Sequence, residues 1–221
     1  METALIIGAS GGIGGALVRK LKEREIKVTA LSRSANGIDV TDEASVKAHL
    51  GALNGPFDLI FLATGALELN GRGPEKALKE IEPEAMLAQF RLNCMGPALV
   101  LKEVARLLPR DRRCIFAALS ARVGSIGDNQ LGGWYSYRTA KAALNQMIRG
   151  ASIELKRTHR QSICVSLHPG TVATSLTAKY AGGRETHMPD DAARDLLEVL
   201  DNLQPENTGS FFDWSGKAIP W

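Results

Sequence analysis

The chain has 221 residues, 44% of them hydrophobic and 23% charged, enough for one well-buried domain and unlike a disordered or fibrous chain. Lys and Arg number 27 against 24 Asp and Glu, and no run of like charge concentrates the formal +3, so nucleic acid and anionic membrane are poor partners. Cys94, Cys114 and Cys164 are odd in number and lack CxxC spacing, which predicts reduced thiols in a cytoplasmic protein, with no disulfide framework and no metal site. The four-residue apolar run Ala4–Ile7 is too short for a signal peptide, and no segment approaches the ~20 apolar residues of a membrane span.

In chain order, Ala4–Ile7 reads as a first buried strand and Gly12–Glu23 as the helix after it. Lys27–Leu31 reads as a second strand, and Asp42–Leu50 as a helix that Thr41-Asp42 would cap. Leu59–Leu62 is a strand, Pro83–Leu108 a long helix, Cys114–Leu119 a strand, and Tyr135–Lys156 a second long helix. Ile163–Leu167 is a strand, Asp190–Leu200 the last helix, and Ser210–Phe212 a final strand. Alternation of strand and helix predicts an α/β fold. It is a single-domain, Rossmann-like, doubly wound parallel sheet spanning 1–221, with helices on both faces. Two long irregular stretches, Ala121–Trp134 and His168–Met188, should lie beyond the carboxyl ends of the strands, where such sheets bind ligands.

The turn Gly8-Ala9-Ser10-Gly11-Gly12-Ile13-Gly14 joins the first strand to the first helix. Glycines at 8, 12 and 14 let the backbone turn tightly and let a phosphate approach the amides of a helix N-terminus. No Lys-Ser/Thr pair follows, so this is not a triphosphate-binding Walker A loop. At the end of the second strand, where an NAD-binding protein offers an acid to the ribose, the chain reads Leu31-Ser32-Arg33-Ser34. A guanidinium at Arg33 suits the 2′-phosphate of NADP, with Ser10 or Ser34 as weaker neutral donors. The bland alternative is a solvated surface arginine.

Tyr137 and Lys141 are four residues apart in a helical segment and share a face. A phenol titrates near ~10, and a neighbouring Lys141 cation would lower it toward use as an acid–base group. The histidines 49, 159, 168 and 187 are scattered, which gives no support to a metal site or a Ser-His-Asp triad. Trp134, Tyr135, Tyr180 and Met188 are candidates to line a substrate pocket.

The glycine turn, Tyr137-Arg138-Thr139-Ala140-Lys141 and the order of segments resemble the short-chain dehydrogenase/reductase family in its classical, single-domain form. Ser120-Ala121-Arg122-Val123-Gly124-Ser125, Gly132-Gly133-Trp134-Tyr135-Ser136-Tyr137 and the tail Trp214–Trp221 resemble the sniffer/C-factor-like carbonyl reductase branch. The resemblance implies that Ala63-Thr64-Gly65 follows the fourth strand and that Asp39-Val40 contacts adenine. It implies that Pro169-Gly170-Thr171-Val172-Ala173-Thr174 closes over the nicotinamide. Asn93 would order a water in a proton relay, and Lys141 would also hold the nicotinamide ribose hydroxyls. The catalytic serine is Ser120 or, as the fallback, Ser125.

The implied reaction is NADPH-dependent reduction of a small-molecule carbonyl to an alcohol, and its reverse, by a homodimer or homotetramer. The competing reading is a signalling or regulatory protein that binds a dinucleotide with little turnover.

Overall fold

The computed structural model describes residues 1–174, 179–180 and 186–221. Six strands, β1 (Thr3–Ile7), β2 (Lys27–Leu31), β3 (Leu59–Leu62), β4 (Cys114–Leu119), β5 (Ser162–His168) and β6 (Phe211–Asp213), form one parallel sheet ordered β2-β1-β3-β4-β5-β6. The helices are α1 (Gly12–Glu23), α2 (Arg33–Asn36), α3 (Glu43–Gly51), α4 (Pro83–Phe90), α5 (Gly96–Val104), α6 (Tyr135–Thr158) and α7 (Pro189–Asn202).

Every residue of β3, and nearly every residue of β4 and β5, is buried, which is why these strands read as unbroken apolar runs. Alternate residues of β1, β3, β4 and β5 feed two cores. Leu5, Ile7, Ile60 and Phe116 pack with Val46 of α3, Val100 of α5 and Ile148 of α6. Ala4, Ile6, Phe61 and Ile115 pack on the other face with Leu17 of α1 and Leu196 of α7. The strand order reverses between β1 and β3, so the crevice at their carboxyl ends opens beside Gly8 and Ala63.

Leu59–Leu62 is the third strand of this sheet, not the fourth that the family pattern implied. The segment Ile38–Val40 forms no ladder and leaves β2 as the edge. Its polar groups are satisfied locally instead. The Asp39 carboxylate accepts from the Thr41 amide at 2.8 Å and the Thr41 hydroxyl at 2.7 Å, while the Asp39 amide donates to Ser45 Oγ at 3.0 Å. The expected helix Pro83–Leu108 is also interrupted. A π-helical turn, Arg91–Met95, separates α4 from α5, and Leu107 lies in a terminal 3-10 turn. Pro97 has no amide hydrogen to offer the carbonyls of the preceding turn, so the helical ladder opens there. Asp42 caps α3 rather than starting it, accepting from the amides of Ala44 and Ser45. α2, four residues long, was not anticipated. Part of the stretch His168–Met188 lies outside the described residues.

Candidate active site

The glycine turn is built by close contacts that no side chain survives. Gly8 takes φ +93°, and a Cβ there would stand 2.7 Å from the Ala63 carbonyl oxygen. A Cβ on Gly14 would collide with the Gly8 carbonyl oxygen. The amides of Gly8 and Ala9 both donate to the Leu31 carbonyl, pinning the turn to the end of β2. α1 then begins at Gly12 with no side-chain cap and no acid in its first turn, leaving the positive helix end open. Gly11, Gly12 and Ile13 line a cavity of about 570 Å³, the ordinary scale of a ligand site.

The same cavity is lined by Ala63, Thr64 and Gly65 after β3 and by Pro169, Gly170, Val172 and Thr174 after β5. The amide of Ala173 donates to the His187 carbonyl at 2.8 Å, and the His187 amide to the Thr171 carbonyl at 2.9 Å, so this lip is paired to the chain entering α7. Arg33 starts α2 as an exposed residue outside the cavity lining, and Ser10 is exposed as well. The fold does bring an acid near Arg33, since its charge helps hold Asp39 below the usual carboxylate range. Hydrogen bonds from Thr41 are the larger cause of that shift, and they occupy the carboxylate. Val40 is buried off the cavity, where a Cβ on Gly96 would press its carbonyl at 3.1 Å.

Ser120, Tyr137 and Lys141 all line the cavity. Ser120 follows β4 and donates through Oγ to Asn145 Oδ1 at 2.7 Å. Ser125 is different. Its hydroxyl donates to the Pro220 carbonyl and accepts from the Asp128 amide at 3.0 Å, and it does not line the cavity. Lys141 Nζ donates to the Leu119 carbonyl at 2.9 Å and lies 5.8 Å from the centre of the Tyr137 ring. Burial pushes Lys141 down to about 8 and pushes the Tyr137 phenol well above its ordinary value. The phenol is raised rather than lowered, and desolvation is the cause.

Asn93 sits in the π-helical turn and does not line the cavity. Its amide is consumed by protein groups: Nδ2 donates to Gln89 Oε1 at 2.7 Å and to the Ala66 carbonyl at 3.0 Å, and Oδ1 accepts from the Ala66 amide. Gly65 is where Asn93 and Lys141 converge, since a Cβ there would stand 2.8 Å from Asn93 Oδ1 and 3.3 Å from Lys141 Nζ.

Residues 2–184 match the family model described as short chain dehydrogenase. The chain belongs to the short-chain dehydrogenase family. Among its relatives, the 1-hydroxy-2-glutathionyl-2-methyl-3-butene dehydrogenase of Rhodococcus sp. strain AD45 is 31% identical, with both chains fully covered. The C-signal protein of Myxococcus xanthus is 34% identical over 76% of this chain and 94% of its own. Two solved structures share the fold. A Burkholderia multivorans short-chain dehydrogenase/reductase with bound NADP superposes with a TM-score of 0.80 at 24% identity, covering 100% of this chain and 99% of its own. The carbonyl reductase Sniffer of D. melanogaster superposes with a TM-score of 0.81 at 20% identity, with both chains covered in full.

Two further residues, Asn145 and Glu75, contact the candidate residues of this short-chain dehydrogenase or their immediate neighbours. Asn145 stands four residues after Lys141 and eight after Tyr137 on the same face of α6, a spacing that could have flagged it. Glu75 had no such signal. Its buried carboxylate accepts from the amide of Ser136 at 3.2 Å and from the Ser136 hydroxyl, while its carbonyl accepts from the Trp134 amide. Glu75 thereby caps the helix that presents Tyr137. Trp134 takes φ +53° and meets Tyr137 edge-on at 6.4 Å and Tyr180 at 5.6 Å. Trp134 and Tyr180 line the cavity as expected; Tyr135 and Met188 do not. No helix is long and apolar enough to cross a membrane, and no metal-ligating group is found among the described residues.

Proposed function

We propose that this short-chain dehydrogenase is an NADP(H)-dependent oxidoreductase that interconverts a small-molecule carbonyl and its alcohol. The observation that carries the reading is the convergence of Ser120, Tyr137 and Lys141 on the same cavity as the uncapped glycine turn. The cavity fits a dinucleotide in two further respects. Thr64 Oγ1 and His168 Nδ1, both on residues that line it, are buried with no hydrogen-bond partner among the described residues. A ligand carrying polar groups would supply such partners. Gly11, Gly12 and Ile13 would hold the pyrophosphate against the helix end, and Arg33 would meet the 2′-phosphate.

The nicotinamide would supply the hydride that attacks the carbonyl carbon. The chain supplies the proton and the charge stabilisation. Tyr137, a phenol protonated at neutral pH, would give its proton to the oxygen as the carbon–oxygen double bond becomes single. Ser120 would turn its hydroxyl from Asn145 to the same oxygen, stabilising charge as it develops. Lys141, mostly protonated at neutral pH, uses one donor on Leu119 and keeps others for ribose hydroxyls. Asn93 acts at one remove, by holding Ala66 and the Gly65 turn against Lys141.

The test is a panel of aldehydes and ketones assayed for NADPH consumption beside NADH. Turnover with NADPH supports the reading. Tight dinucleotide binding with no turnover on any carbonyl would favour the signalling alternative, which the 34% identity to C-signal keeps in view.

A further inference from the structure

Arg138, the residue after Tyr137, lines the same cavity beside Trp134 and Val123. The residue is half-buried. Nε donates to the Gly133 carbonyl at 2.9 Å and Nη1 to the Val123 carbonyl at 3.3 Å. Both acceptors are neutral, and no carboxylate pairs with Arg138 among the described residues. A guanidinium has five N–H donors, so three remain without a protein acceptor there, at the Nη1/Nη2 fork. The contrast with Arg122 on the same lining is direct. Arg122 is held by Asp128 at 3.1 Å and by Asp213 at 2.9 Å, so the acid on this wall is already paired. Burial pulls Arg138 below its ordinary value, in keeping with a desolvated cation that nothing nearby offsets.

Two carbonyls from different turns, Gly133 just before α6 and Val123 shortly after β4, hold the guanidinium in place. A partly desolvated charge is costly unless it is paired, and a planar fork of N–H donors matches a carboxylate. We infer that Arg138 anchors a carboxylate on the substrate, so that this cavity selects carbonyl compounds that are also carboxylic acids. The inference rests on the reading of the cavity as a carbonyl-reducing site and names the class of substrate it takes. Ser120 and Tyr137 would hold the carbonyl end, and Arg138 the anionic end.

The experiment compares 4-carboxybenzaldehyde with methyl 4-formylbenzoate, which differ in the charge of one group remote from the aldehyde. With NADPH and the full chain, kcat/KM should favour the acid by about tenfold or more, the scale of one charge-assisted hydrogen bond. In Arg138→Gln that ratio should fall toward one, chiefly through KM for the acid. Arg138→Lys should restore part of it. A wild-type ratio of one or less, or a ratio unchanged in Arg138→Gln, overturns the inference. A second arm needs neither turnover nor a folded variant: calorimetric titration of the wild-type protein with 4-(hydroxymethyl)benzoate and its methyl ester. Tighter binding of the acid supports the anchor, and equal or weaker binding overturns it. Reduction of both aldehydes at equal rates leaves the oxidoreductase reading standing while the inference fails. Selective binding of the acid without reduction of either aldehyde keeps the carboxylate anchor at Arg138 and counts against the oxidoreductase reading.

Discussion

The hydroxyl of Ser120, at the end of β4, lies 2.7 Å from the side-chain carbonyl of Asn145, two helical turns beyond Tyr137. The cavity separates the two candidate serines: Ser120 lines it, whereas Ser125 lies off it and donates its hydroxyl to the Pro220 carbonyl in the C-terminal tail. Ser120→Ala should lower carbonyl reduction by at least ~10²-fold, the scale of an oxyanion donor. Ser125→Ala should keep most of its turnover and lose about 1–3 kcal/mol of stability with its two hydrogen bonds, read from urea midpoints. The reverse pattern in kcat would transfer the role to Ser125.

Tyr137→Phe removes the proton donor while keeping the ring that Trp134 meets edge-on. Reduction should fall by at least ~10²-fold, and dinucleotide affinity measured by fluorescence should hold. Substantial residual turnover would sink the assignment.

Arg33 sets the cofactor preference in this reading. One charge-assisted bond to the 2′-phosphate corresponds to roughly 10- to 150-fold tighter NADPH than NADH. Arg33→Asp should reverse the order by repelling the phosphate and offering a carboxylate to the ribose hydroxyl. Equal affinities in the wild-type protein would reduce Arg33 to a surface charge.

His168 makes stability pH-dependent. Burial pushes its imidazole down to about 4, with the Arg122 charge adding to the effect and Asp213 opposing it. The unfolded chain binds this proton below about 6.5, whereas the folded chain resists it until about 4. The unfolded state therefore carries more protons across that window, and stability falls as pH drops through it. His49 works in the opposite sense, since hydrogen bonds to the backbone carbonyls of Ser45 and Asn36 raise it. The decisive quantity is the difference between wild type and His168→Gln. The loss in urea midpoint from pH 7 to pH 5 should be smaller in the variant, and identical losses would refute the assignment.

The two long helical segments leave Leu87 and Phe90 of α4 and Met147 and Ile153 of α6 exposed, on helices packed against each other. A symmetric partner would cover such apolar surface, giving a homodimer or homotetramer. Light scattering at micromolar concentration should report the larger mass, and a monomer would exclude the assembly.

The glycine turn, the strand–helix alternation and the Tyr137–Lys141 pair were legible in the sequence because each depends on neighbours within one turn of chain. Gly8 and Gly14 face each other across six residues, and Tyr137 and Lys141 across one helical turn. Strands β3, β4 and β5 announced themselves because both their faces are buried. What the tertiary structure alone decided depends on contacts between distant segments. Ser120 and Asn145 are 25 residues apart, Ser125 and Pro220 are 95, and Glu75 and Ser136 are 61. No local spacing records which of two serines meets which carbonyl, whether an asparagine amide is already consumed, or whether an arginine finds a carboxylate. The balance of burial and charge at Tyr137 belongs to this second class. A lysine four residues away is visible in the chain, whereas the desolvation that raises the phenol exists only once the fold has buried Tyr137.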